Sequence, residues 1–267
     1  MNRPGDRRGT IQSVDRAARI LKALGTGVSR VGVTELAERL GLAKGTAYGL
    51  LRTLEHQGLV EQDPETGKYR LGAAMLQLGN AFLDNHELRG RSLLWADSLA
   101  SRVGESVRVG VMNGAAVLIV HHVFRPDNSV QILEVGASIP WHACALGKAT
   151  VAYLEPEAQA DLLAAPLPRL TGRTLTSREV LEAELEAVVE AGVAVEDQEA
   201  IVGEAGIAAA LFDNQGAVVG AIGLAGPVER LLPDGPAAET VSAVKEAARG
   251  LSRELGAGRP AVPRAGA

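Results

Sequence analysis

Thr34-Glu35-Leu36-Ala37-Glu38-Arg39-Leu40-Gly41-Leu42-Ala43-Lys44-Gly45-Thr46-Ala47-Tyr48-Gly49-Leu50-Leu51-Arg52-Thr53-Leu54-Glu55-His56-Gln57-Gly58 is the stretch that decides how the chain begins to fold. Thr34 is placed to cap a short helix with Leu36, Ala37 and Leu40 turned inward, and Gly41 closes it. After Leu42 alone, a longer helix is expected from about Ala43 to Gln57, ended by Gly58. A short helix, a tight glycine turn and a longer helix make a helix-turn-helix. Upstream, Ser13 is placed to cap a first helix whose Val14, Ala17, Ala18, Leu21 and Leu24 follow the helical period, with Gly25 at its end.

The longer helix separates its faces. Ala47, Leu50, Leu51 and Leu54 form an apolar stripe, while Lys44, Tyr48 and Arg52 recur every fourth residue on another side, with Gly45 and Thr46 beside them. A helix fits the major groove of a duplex, and this stripe offers donors to base edges and phosphates. Leu59–Gln62 and Lys68–Leu71 read as two short strands around the turn residues Asp63-Pro64-Glu65-Thr66-Gly67. A two-stranded wing directly after such a helix predicts a winged helix-turn-helix, with Lys68 and Arg70 as wing cations for phosphate. Charge agrees: residues 1–72 hold 12 Lys and Arg against 8 Asp and Glu, a net of +4, and the remainder carries −9.

In the body, Ala73–Asn85 is expected as a connector helix with Met75, Leu76, Leu78 and Phe82 apolar, a stripe suited to pairing with its copy in a dimer. A second helix holds Leu93, Leu94, Leu99 and Trp95. The period then changes to two. Ser106–Val111 and Ala116–Val123 flank the hairpin signal Asn113-Gly114, and Val130–Val135 reads as a further strand. Thr176-Ser177 opens a helix with Val180, Leu181, Leu185, Val188 and Val189 apolar. Val193–Glu196 is strand-like, and Gly206–Phe212 with Ala217–Ala225 form a second hairpin. A last helix turns Val241, Val244, Ala248, Leu251 and Leu255 inward. The reading is an α+β chain: a flexible basic arm at 1–10, the winged domain at 11–72, a connector at 73–86, an α/β domain with a largely antiparallel sheet at 87–256 and a disordered tail at 257–267.

Composition excludes several classes. With 46% apolar and 22% charged residues the chain is globular, and no apolar run approaches the ~18 residues of a membrane span. The N-terminus lacks the apolar core of a secretory signal, and one cysteine cannot form an intrachain disulfide, which points to a cytoplasmic protein. No catalytic constellation is visible and no cofactor is expected. Leu146-Gly147-Lys148-Ala149-Thr150 fails as a phosphate-binding loop because His142 stands where the first glycine is needed and Ala149 where Ser or Thr must follow the lysine. Cys144 near His142 is better read as a buried thiol than as a nucleophile. No ligand spacing makes a metal site of His121, His122, His142 and Cys144. Trp141-His142-Ala143-Cys144-Ala145-Leu146-Gly147-Lys148 instead reads as a loop feeding a helix whose N-terminal amides suit an anion.

Ile11-Gln12-Ser13-Val14-Asp15-Arg16-Ala17, Leu42–Tyr48, and Leu59-Val60 through Lys68-Tyr69-Arg70-Leu71-Gly72 together resemble the IclR family of bacterial transcriptional regulators. The resemblance implies a body with a GAF-like effector-binding fold, Arg16 and Thr34 on the phosphate backbone, and Lys44, Thr46, Tyr48 and Arg52 in the groove. It also implies an effector pocket in which the amides of Ala145 and Leu146 meet an acidic group and Glu196, Gly206, Gly223 and Ala225 form the wall. Gly206, Gly223 and Ala225 depart from the polar or thiol side chains usual there, which leaves Glu196 as the acceptor for a hydroxyl. Ile119–Asp127 and Leu133–Ala137 resemble certain members of the family more closely and imply glycerol 3-phosphate as effector, with His121, His122 or Arg125 adding donors. The expected partners are double-stranded operator DNA, a small anionic effector and further copies of the chain in a dimer or tetramer; the expected role is a repressor of a catabolic operon. Aromatic-acid catabolism, and an enzyme with a winged-helix appendage, remain as alternatives.

Overall fold

The computed structural model describes residues 11–25, 30–127 and 131–258, and the chain divides into two compact units, Met1–Asn85 and His86–Ala267. The expected arm and nearly all of the expected tail lie outside the described residues. Among the described residues no helix is long and apolar enough to cross a membrane.

The first unit contains α1 (Gln12–Gly25), α2 (Val33–Leu40), α3 (Lys44–His56), β1 (Val60–Gln62), β2 (Tyr69–Leu71) and α4 (Ala73–Asp84). Ile20, Leu24, Leu36, Leu51, Leu54, Val60 and Tyr69 meet in one core. Gly41 makes the turn possible: at φ +65° it ends α2 with Gly41 N–H on the Glu38 carbonyl and Leu42 N–H on that of Ala37, a paired closure that favours glycine. Leu42 then packs against the core, so α3 starts two residues later at a fixed angle. β1 and β2 pair antiparallel, Val60 opposite Leu71, and Val31 adds a one-residue bridge to Tyr69 that the sequence pattern did not reveal. Two expected caps are corrected. Ser13 lies inside α1, and Thr34 lies inside α2, whose N-cap is Gly32 with no side-chain bond. Val14 and Ala18 are exposed because the buried stripe of α1 runs through Ile20 and Leu24. No residue of α4 is buried within the unit, and Leu76, Leu78 and Phe82 are open.

The second unit runs α5 (Glu87–Val103), β3 (Ser106–Asn113), β4 (Ala116–Val123), β5 (Ser138–Pro140), a short 3-10 turn, α6 (Ala145–Val151), α7 (Pro156–Ala164), α8 (Arg178–Ala191), β6 (Ala194–Asp197), β7 (Glu204–Phe212), β8 (Val218–Pro227), α9 (Val228–Leu231) and α10 (Ala238–Glu254). The strands form one six-stranded sheet, order β5-β4-β3-β8-β7-β6, with every neighbouring pair antiparallel. Alternation sends Val107, Val109, Ile207, Ala209, Ile222 and Leu224 to the face covered by α5 and α10. Those two helices are tied by Trp95, which lies over Gly250 and donates to Glu254 at 2.8 Å. The opposite face carries Ala194, Ala208 and Ala221, against which Ala145, Leu146 and Ala149 of α6 pack.

Four expectations fail here. Residues 131–135 form no strand; the sheet edge is supplied by Ser138–Pro140, whose Ser138 and Ile139 sit opposite Leu118 and Val117. Leu93 and Leu94 face outward, and α5 buries Leu88, Ser92, Ala96, Leu99 and Ala100 instead. Val180 is exposed, since Ser177 caps α8 in a phase that turns Leu181, Leu185 and Val188 inward. The first hairpin turns on Gly114-Ala115, with Asn113 still in the strand opposite Ala116.

Candidate DNA-contacting surface and effector face

The start of α3 is open. Ala43, its N-cap, offers no side-chain bond to the first-turn amides, and Lys44 and Gly45 are exposed beside them with Thr46 half-buried. Tyr48 is 47% exposed, and Arg52 is exposed one turn on. The Tyr48 hydroxyl beside Arg52 holds the Arg52 pKa above its ordinary value. The apolar positions Ala47, Leu51 and Leu54 are buried, so the packing of α3 leaves the cationic stripe free. Thr34 is exposed on α2, and Arg16 is half-buried on α1.

The wing differs from expectation in one cation. Arg70 stands opposite Glu61 across the β1–β2 ladder and pairs with it at 2.9 Å, whereas exposed Lys68 carries no ion pair among the described residues. Asp63 shapes the wing loop, accepting from the amides of Glu65 and Thr66 at 3.0 and 3.2 Å and pairing with Arg30. Those bonds hold the Asp63 carboxyl below its usual range.

In the second unit, the register lines up the sequence-predicted effector residues in two adjacent rows. Glu196, Gly206 and Ala225 face one another across β6, β7 and β8, and Ser106 of β3 completes that row. Two residues along, Ala194, Ala208, Gly223, Arg108 and His122 form the next. Ala145 and Leu146 open α6 above this surface, all seven residues of that helix being buried. Gly147 fixes its position: a Cβ there would lie 2.1 Å from the Trp141 carbonyl oxygen, so only glycine lets the helix start come this close. A Cβ on Gly206 would sit 3.3 Å from both the Ala145 Cβ and a Glu196 carboxyl oxygen, which brings three of the predicted residues together. Gly223 has a different reason, since a Cβ would meet that of Ala208 at 2.6 Å.

Glu196 is buried at 6% exposure and accepts from the amides of Glu199 at 2.8 Å and Ala200 at 3.4 Å. Burial pushes its carboxyl up to about 7 despite those bonds. The following turn is strained: Gln198 holds φ 59° without being glycine, pinned by its amide on the Glu204 carbonyl and by Thr171 on its own carbonyl. Lys148, fully buried, bridges Glu184 and Glu199 at 2.9 and 2.8 Å, so it is an internal tie between α6, α8 and this turn.

The rejected chemistries have physical reasons. Burial pushes the Cys144 thiol up to about 12, far from a thiolate at neutral pH. His142 meets the Pro168 carbonyl at 3.0 Å, and burial lowers its pKa. Among the described residues no three of His, Cys, Asp and Glu converge as a metal cluster. Of the three extra donors expected beside the effector, only His122 reaches this face. His121 points to the α5 side near Arg89 and Asp97, and Arg125 is engaged by Glu105 and Asp127. Arg108 also lies in this row beside His122, a placement not expected from the sequence. The alternation Ser106-Val107-Arg108-Val109, a charge in phase with a serine on an otherwise apolar strand, was the available signal.

An open cationic helix on a winged helix-turn-helix, and a separate sheet domain whose buried acid and glycines gather under a short helix, define a ligand-responsive transcriptional regulator. The chain belongs to the IclR family: the IclR helix-turn-helix domain matches residues 13–64 and the bacterial transcriptional regulator IclR C-terminal domain residues 80–253. It is similar to the glycerol operon regulatory protein of Streptomyces griseus, 50% identical over 250 residues that cover 93% of this chain and 98% of the relative. The protein of the same name from Streptomyces coelicolor is 49% identical over the same coverage. Among solved structures, an IclR transcriptional regulator from Alicyclobacillus acidocaldarius superposes with a TM-score of 0.79 at 26% identity, covering 92% of this chain and 98% of that one.

Proposed function

We propose that the chain represses an operon for glycerol use and is released from its operator by glycerol 3-phosphate. The observation that carries this reading is the half-identity, along 93% of the chain, to two regulators named for a glycerol operon. In this reading Arg16, Thr34 and Lys68 position the winged domain on phosphates, and Lys44, Gly45, Thr46, Tyr48 and Arg52 enter the major groove. Two copies, paired through the apolar face of α4, present two winged domains to a roughly palindromic operator. The effector lies among Ala145, Leu146, Glu196, Gly206, Gly223 and Ala225, with a ligand hydroxyl on Glu196. Its binding favours one arrangement of the paired domains, which couples the two sites reciprocally.

Fluorescence anisotropy on a promoter fragment from a glycerol-use operon of the same genome tests this. Specific binding, reversed by glycerol 3-phosphate and not by glycerol, is the expected result. Specific binding reversed instead by an aromatic acid such as 4-hydroxybenzoate transfers the reading to aromatic-acid catabolism. Affinity no better for the promoter than for random DNA refutes the regulator assignment for this operon.

A further inference from the structure

The expected wall of the effector face contains one acid and no cation, yet the structure puts a partly buried arginine on that surface with an acidic partner supplied by a neighbouring loop. Arg108 projects from β3 in the row that continues Ala194, Ala208 and Gly223, and its side chain is only 12% exposed. Its Nη2 donates to one oxygen of Glu134 at 2.6 Å, while its Nε lies against the other oxygen of that carboxylate without a hydrogen bond, so among the described residues both that donor and that oxygen are unsatisfied. With one donor engaged and one unsatisfied, the guanidinium keeps capacity for the two-pronged grip that suits a carboxylate or a phosphate. Glu134 comes from residues outside any strand, between Ile132 and Leu133, which stand 80% and 61% exposed, and the turn at Gly136. Glu204 of β7 adds a second carboxylate at 3.7 Å, so two acids surround one guanidinium. Burial raises the Glu134 pKa against the lowering effect of Arg108, and the Glu204 charge adds to the rise.

His122 supplies the second half of the site. It lies directly opposite Arg108 in the ladder, and its Nδ1 accepts the amide of Glu134 at 3.2 Å. That bond places the imidazole proton on Nε2. Burial first, and then the charge of Arg108, keeps the ring neutral, with a pKa of about 4. The Nε2–H is buried and has no hydrogen-bond partner among the described residues. A buried orphan donor beside a guanidinium already gripping an anion is a site shaped for a larger anion than the one it holds. Arg108 and Glu196 both act on the Cys144 thiol at the start of α6, so the two charged groups share one region of the face.

We propose that Arg108 is the charge anchor for the effector's anionic group and that Glu134 is a resident counter-ion which the effector displaces. This deepens the effector reading above and rests on it. A phosphate monoester or a carboxylate takes the fork of Arg108, its further oxygen accepts from His122 Nε2–H, and hydroxyls extend toward Glu196. Glu134 thereby couples occupancy to the 131–137 segment, because the same residue also holds His122 through its amide.

Isothermal titration of the full chain with glycerol 3-phosphate at fixed ionic strength provides the test, using wild type, Arg108→Gln, Glu134→Gln and the double variant. Arg108→Gln is expected to lose at least tenfold in affinity. Glu134→Gln, which keeps the side-chain shape but removes the competing charge, is expected to bind several-fold more tightly, and the double variant to bind as weakly as Arg108→Gln. Should Arg108→Gln fold poorly, the gain in Glu134→Gln alone still decides. 4-Hydroxybenzoate in the same series separates a carboxylate ligand from a phosphate ligand. Wild-type binding that neither substitution alters overturns the anchor while leaving the effector reading intact. Absence of binding of either anion to wild type and to Glu134→Gln overturns both.

Discussion

Glu196→Gln isolates the energetic consequence of burying an acid on the effector face. The folded-state pKa of Glu196 is about 7 against an ordinary 4.5, with burial as the cause. The folded protein therefore holds this proton more tightly than the unfolded chain does, and stability falls as pH rises from about 4.5 to about 7, then levels off. A shift of roughly 2.5 units corresponds to about 3 kcal/mol, since each unit is about 1.4 kcal/mol. Glutamine keeps the shape and still accepts from the Glu199 and Ala200 amides through its carbonyl oxygen, but it does not titrate. Urea unfolding followed by tryptophan fluorescence reads the effect selectively, because Trp95 and Trp141 both lie in the second unit. The stability of Glu196→Gln minus that of wild type should grow by about 3 kcal/mol between pH 4.5 and 7 and stay flat to pH 8. Titrating groups that do not interact with Glu196 cancel in that difference. A difference independent of pH, or one that shrinks as pH rises, refutes the view that Glu196 is a desolvated acid and with it the idea that it stands ready to accept a ligand hydroxyl.

Three further outcomes follow from the geometry. Lys68→Ala should reduce the dependence of log K on log salt by roughly 0.9 for its lost phosphate contact in operator titrations, with Arg70→Ala losing less because Glu61 already engages that side chain; equal slopes for both variants and wild type would remove these cations from the interface. Gly147→Ala should destabilise the second unit by at least about 1–3 kcal/mol in urea, because its Cβ has no room beside the Trp141 carbonyl; a neutral effect would mean α6 does not press on Trp141 as described. Cys144 should resist a thiol reagent at neutral pH in the folded protein and react at once in urea, and fast labelling under native conditions would contradict its burial and its raised pKa.

Local patterns and tertiary registers divide the account of this chain. The Gly41 turn and the three-helix order of the winged domain were legible because each depends on residues within one or two turns of chain, where capping, periodicity and positive φ leave direct marks. The caps assigned to Ser13 and Thr34 failed by a residue or two, since a polar residue near a helix start is equally stable inside the first turn. The false strand at 130–135 failed for a different reason. A β-rich run becomes a strand only if a partner edge is free at the right register, and here the edge of β4 is taken by Ser138–Pro140.

The effector face shows the boundary most clearly. Glu196, Gly206, Ala225 and Ala145 could be named from a motif, and the ladder brings them together. Arg108, Glu134 and His122 are ordinary residues in sequence, separated by stretches that carry no shared pattern. Chain order by itself determined the cationic stripe of α3, the wing and the alternating strands, because hydrophobic period and turn chemistry are short-range. Only the folded sheet decided which acid is desolvated, which arginine lies on this face and which carboxylate it meets, because solvation and ion pairing depend on neighbours that are distant along the chain and adjacent only across strands.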